Sequence, residues 1–281
     1  MSQLKAETAL ANALCHTRQL ALANQCRLDP GAEFTAQSMD VAYVSACVRY
    51  IDAIAPDDRS YDAYEALLEL GPGQNHKFHT WLAEHAGLED VLWFLKQEAG
   101  GEAGFDDLLA MVMVKMPDQV KLEMANNFWD EMGRGDEDGM HGKLFKAVLN
   151  HFNLSPTLDD LVDESLIMSN VMVGLCANRM FAYEAVGALG VIEMTAPGRV
   201  VLVDAALTRL GVPKKIRQYF TLHGVLDVKH SRDWNREVIR PLYSLGHGEK
   251  LFIGAYIRLW CGQRTYDRYW QELVCEKTQA T

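Results

Sequence analysis

His223, Asp227 and His230 stand at i, i+4 and i+7 in the segment His-Gly-Val-Leu-Asp-Val-Lys-His. At roughly 100° per residue, a helix gathers all three within about 60° of one another. Two imidazoles and a carboxylate on one stripe make a comb of donors suited to a first-row divalent metal. The competing reading is a solvated polar stripe with two incidental histidines. The comb follows Pro213 to Leu222, which reads as a helix with proline in its first turn.

Such a comb needs partners from other helices. Isolated carboxylates in apolar helices are the ones to weigh, because a buried charge is costly unless it is paired or binds metal. Glu184 in Phe-Ala-Tyr-Glu-Ala-Val and Glu193 in Leu-Gly-Val-Ile-Glu-Met both qualify. They lie nine residues apart, about 180° around a helix, so both cannot face one centre. Spacing alone does not choose between them. Glu131 and His141 form another candidate pair, and Glu137 with His141, at i, i+4, is its rival. Asp130, Asp136, Glu137 and Asp138 read as an acidic, solvated run. His76, His79 and His85 lie close together, but no carboxylate comb accompanies them, and Gly71-Pro-Gly suggests a surface entry to the next helix.

The elements that must position these residues all read as helices. Helical patterns cover 3–27, Ser38–Ile54, Tyr61–Leu70, Leu88–Glu98, Phe105–Met116, a run opened by Pro117, and His141–Phe152. They continue over Leu158–Met194, ended by Thr195-Ala-Pro-Gly, then Arg199–Leu210, Pro213 to about Trp234, and Glu249–Cys275. Asp29-Pro-Gly is expected to end the first helix. No alternating strand, repeat or Gly-rich phosphate loop stands out. The expectation is one all-α domain over 1–281, with leading and auxiliary helices in 1–97, a metal-bearing core in 98–235 and closing helices in 236–281.

With 281 residues, the chain is long enough for a substantial core. Its formal net charge of -11 argues against gripping nucleic acid or an anionic membrane through a global positive field. No signal peptide is evident, and the six scattered cysteines lack Cys-x-x-Cys spacing, as expected in a reducing cytoplasm. The apolar stretch Ile167–Met194 is interrupted by Asn170, Asn178, Arg179 and Glu184, as in a buried helix rather than a membrane span.

Three segments resemble the heme-oxygenase-like non-heme di-iron oxidases and oxygenases, the iron-containing redox enzymes. Trp129-Asp-Glu-Met-Gly-Arg-Gly, followed by Met140-His141 and Leu144-Phe145, is similar to the family segment with the first core ligands. That match implies Glu131 and His141, and not Glu137. Gly190-Val-Ile-Glu193-Met-Thr is similar to the segment supplying the second-helix carboxylate, which implies Glu193 over Glu184. The comb of His223, Asp227 and His230 matches the third core helix. Glu98, in Leu-Lys-Gln-Glu-Ala, matches an extra ligand of some members, although its gap to Glu131 is longer than in the family pattern. The resemblance runs from about Glu98 to His230.

This resemblance implies a heme-oxygenase-like bundle, two Fe ions cycling between Fe2+ and Fe3+, dioxygen as co-substrate and an external reductant. It implies N-oxygenation or oxidative C–C cleavage of a small amino-acid-derived metabolite in specialised biosynthesis, or a fatty-acid-type oxidative decarboxylase on the same site. Trp129, Met180, Phe181 and Tyr183 are candidates for a pocket wall, and Arg134 and Arg179 for receiving a substrate carboxylate. Ordinary core packing and an ion pair with Glu184 are the plainer readings. A heme binder would use His16 on the first helix, and a non-enzymatic iron-binding module is the other rival. The partner is a small molecule, without nucleic acid or membrane, and a homodimer is allowed.

Overall fold

The computed structural model describes residues 3–25, 29–101 and 104–275, with the backbone alone at 101 and 225–228. Every regular element among the described residues is helical. The amino-terminal helices are α1 (Gln3–Leu14), α2 (Thr17–Gln25), α3 (Pro30–Ile54), α4 (Tyr61–Leu70) and α5 (Lys77–Glu84). Next come α6 (Leu88–Gly101), α7 (Phe105–Val112), α8 (Asp118–Glu131), α9 (His141–His151) and α10 (Asp163–Ala177). Last are α11 (Ala182–Arg209), α12 (Gln218–Trp234), α13 (Arg240–Ser244) and α14 (Gly248–Trp270).

The hub is α11, which packs most extensively along α12 and α14 and also meets α4, α5, α7 and α10. Its contact with α14 is backbone to backbone. A Cβ on Gly254 would meet the Glu184 carbonyl oxygen at 1.8 Å, and one on Gly187 would meet that of Leu251 at 2.0 Å. Glycine on both helices is what permits the approach. The stretch Arg179–Arg209 is apolar and long enough to cross a membrane, and 50% of its most apolar window is buried inside the fold.

Several boundaries differ from the sequence expectation, each for a local reason. The helix expected over 3–27 is divided by a turn at Cys15-His16. Asp29 opens α3 rather than only ending its predecessor: its carboxylate accepts from the amides of Gly31 and Ala32, with Pro30 in the first turn. The long run from Leu158 breaks at Asn178, whose side-chain amide donates to the Gly174 carbonyl at 2.8 Å. That bond competes with continuation of the helix.

Conversely, Thr195-Ala-Pro-Gly does not end a helix: α11 continues through Pro197. Proline has no amide to offer the Glu193 carbonyl four residues back, a defect of about 3 kcal/mol in an isolated helix. Packing of α11 on α5, α12 and α14 overrides it. Residues after Pro213 form turns closed onto its carbonyl by the Ile216 and Arg217 amides, so α12 begins only at Gln218. A π-helical segment, Asn235–Ile239, then joins α12 to α13.

Candidate metal centre

Glu131 is the last residue of α8, His141 is the first of α9, and the turn between them folds back tightly. Gly133 has φ +62°, and a Cβ there would meet the Gly139 carbonyl carbon at 2.5 Å and the Met140 nitrogen at 2.7 Å. Only glycine satisfies both the positive φ and the close approach. The result sets His141 Nδ1 2.8 Å from Glu131 Oε2, with both side chains buried.

His223 reaches the same point from α12, its ring centroid 4.5 Å from that of His141. One ligand atom from each of Glu131, His141 and His223 lies within 4.8 Å of the others. Ligand bonds of about 2.1 Å can span such a group after small side-chain rotations. The Nδ1–H of His223 donates to the Tyr219 carbonyl at 2.7 Å, leaving Nε2 as the lone-pair atom. Burial and the neighbouring His141 imidazole push His223 down to about 4, so it is neutral at neutral pH. The donor set therefore fits a divalent iron.

A second group lies alongside. His230, two turns beyond His223 on α12, is buried, with Nδ1 3.7 Å from Glu193 Oε2. Its Nε2 lies 2.8 Å from Asp130 Oδ2. Burial would raise Asp130, but hydrogen bonds from Arg134 and His230 outweigh it and hold the carboxyl below its ordinary range. A carboxylate behind a ligating imidazole fixes its orientation and raises its basicity.

Glu131, His141, Glu193, His223 and Glu98 line one cavity of about 160 Å³. The side chain of Asp227 lies outside the described residues. Glu137 is exposed on a 3-10 turn and pairs with Lys143, away from His141. Glu184 is buried with Lys250 3.7 Å away, a lysine rather than the arginine expected, and does not line the cavity.

The residues expected to bind substrate lie elsewhere. Trp129 is 54% exposed and packs over Gly135. Arg179 is exposed beyond the end of α10 and donates to the Val112 carbonyl at 3.2 Å. Tyr183 stacks on His247 with centroids 3.6 Å apart. Of their neighbours, Met180 is exposed and Phe181 belongs to the apolar core. Arg134 is exposed and committed to Asp130. His16 is exposed in the α1–α2 turn, so no axial ligand reaches the cavity from there.

Other side chains build the rest of the cavity. Phe94, Phe145, Val200, Val203 and Phe220 are its apolar wall, while Asp106, His79, Arg199 and Tyr266 add polar groups. Burial, then the charges of Arg199 and His76, drive His79 down to about 3. His79 was legible only as one of three clustered histidines. His76 caps α5 and pairs with Asp267, His85 is exposed, and the three do not converge.

Imidazoles and carboxylates buried on several helices around one cavity define a helical protein that holds metal in its core. Residues 92–263, more than half of the chain, match the family model described as iron-containing redox enzyme. The chain belongs to that family, with its heme-oxygenase-like fold, and is by that membership an iron-containing oxidoreductase. A comparison with curated proteins returned no match.

Proposed function

We propose that this chain is a non-heme di-iron oxidase or oxygenase that uses dioxygen on a small, amino-acid-derived metabolite. The observation that carries the reading is the pair of imidazole–carboxylate groups beside one cavity. Glu131, His141 and His223 would hold one iron. Glu193 and His230 would hold the other, with Asp227 and Glu98 completing the set. Bound iron, reduced from outside, would supply the electrons and Lewis acidity for dioxygen chemistry. The chain's own part is positional. Tyr219 and Asp130 orient the imidazoles, Gly133 brings His141 back to Glu131, and the apolar wall limits water around the substrate.

N-oxygenation and oxidative C–C cleavage are the two outcomes compatible with this site. The apolar, partly aromatic wall supports a second substrate reading, a fatty-acid-type oxidative decarboxylase. Anaerobic loading with ferrous iron should give two irons per chain, and admission of oxygen should consume dioxygen in a substrate-dependent way. Mass spectrometry over amino acids and fatty acids then separates oxygen gain from carbon loss. Glu193→Ala and Asp227→Ala should lose iron while keeping wild-type helicity. Full iron content in both variants, or no dioxygen uptake with any substrate, would overturn the proposal.

A further inference from the structure

In the cavity wall, Arg199 (α11), Tyr266 (α14) and His79 (α5) come together. The Arg199 guanidinium donates to the Tyr266 hydroxyl. The Tyr266 ring meets His79 edge-on, with centroids 4.5 Å apart. Among the described residues no carboxylate pairs with Arg199. Apart from the imidazoles, the other ionisable side chains of the lining are the carboxyls of Glu98, Asp106, Glu131 and Glu193 and the phenols of Tyr219 and Tyr266. Among the described lining residues Arg199 is thus the one arginine or lysine, half-buried, with a hydroxyl as its hydrogen-bond partner.

We propose that Arg199 anchors the substrate's carboxylate, so that the oxidised atom lies at the opposite end of the molecule. A half-buried guanidinium presents several donors in a planar fork and matches a carboxylate in two-point contact. Tyr266 restrains that fork, and His79, edge-on to the Tyr266 ring, adds bulk without adding charge. Arg199 lies six residues beyond Glu193 on the same helix, an axial rise of about 9 Å. A carboxylate seated there would lie more than one helical turn along α11 from Glu193. The inference deepens the oxygenase reading and rests on it for the identity of the reacting end. It selects, within that reading, a carboxylate-bearing substrate oxidised away from its carboxylate.

The test is titration calorimetry of octanoate and its neutral counterpart octanamide against the full chain, metal-stripped and iron-loaded. Wild type without metal should bind the acid about 10-fold or more tighter than the amide, as expected of a charge-assisted contact. Arg199→Gln should bring the two within about 2-fold, Arg199→Lys should restore part of the preference, and Tyr266→Phe should weaken it. Equal binding of acid and amide by wild type would overturn the proposal whatever the variants do. So would an acid preference that persists in Arg199→Gln, or one that needs iron, which would put the carboxylate on the metal. Iron content measured on the same samples keeps the two ideas apart. An acid preference in a chain that takes up no iron retains the anchor and sinks the oxygenase reading, and iron uptake without the preference does the reverse.

Discussion

Replacing Asp130 by alanine isolates the link between a carboxylate and a metal-side imidazole. Asp130 makes two contacts, to His230 Nε2 at 2.8 Å and to Arg134 at 2.6 Å. Arg134 is 64% exposed, so losing that pair changes little. His230 is almost wholly buried, and its Nε2–H would be left without its acceptor. An unsatisfied buried donor costs about 1–3 kcal/mol. If that cost falls on the orientation that presents Nδ1 towards Glu193, iron affinity drops about 10–100-fold, as for other carboxylates behind ligating histidines. Competition against a chelator of known affinity, under anaerobic conditions with ferrous iron, measures this directly. Asp130→Asn keeps an acceptor oxygen and should lose less. Arg134→Ala is the control and should stay near wild type. Iron affinity in Asp130→Ala within about 2-fold of wild type would refute the reasoning, since the contact would then have no bearing on metal binding.

Three further outcomes follow from the same structure. Gly133→Ala should destabilise the fold by about 1–3 kcal/mol and reduce iron uptake, because a Cβ meets backbone at a positive φ; denaturant melts and metal analysis check it. Gly198→Ala should instead stabilise by about 0.5–1 kcal/mol in the same melts, since this helical position has open space for a methyl group. His79 is held neutral at about 3, below the ordinary value of about 6.5, so its contribution to stability is complete above pH 6.5 and is lost as pH falls towards 3. In the metal-free chain, His79→Gln should flatten the loss of stability on acidification by up to about 1.4 kcal/mol per pH unit; identical slopes would contradict it.

The helix from Tyr61 to Leu70 could be read residue by residue, because Ser60 caps it and Gly71 ends it within a single stretch of chain. His223 and His230 are legible from their spacing on one helical stripe and Glu193 as a carboxylate in an apolar helix, but only the family resemblance chooses Glu193 over Glu184, and Glu131 with His141 over Glu137. Asp130 is not: it reads as the start of a solvated acidic run, yet the last turn of α8 directs successive carboxylates to the two imidazoles, Asp130 to His230 and Glu131 to His141. Arg199 was missed because Thr195-Ala-Pro-Gly carries every local mark of a helix end, and only tertiary packing carries α11 through it. Trp129 and Tyr183 stand next to candidate ligands in sequence, but neighbouring helical residues point about 100° apart, so adjacency placed them on other faces. The group of His79, Arg199 and Tyr266 joins α5, α11 and α14, and no local pattern announces contacts between residues so distant in the chain.

The proline within α11 falls between two residues that line the cavity. Glu193 lies before Pro197 and Arg199 after it, and the amide that would tie the Glu193 carbonyl into the helix is absent. A helix bends readily at such a missing bond, and here that position falls between Glu193 and Arg199. A change in that bend alters the separation of the two charged groups without repacking either half of the helix. The curvature of this one helix would thus bear on the distance between two side chains that line the same cavity.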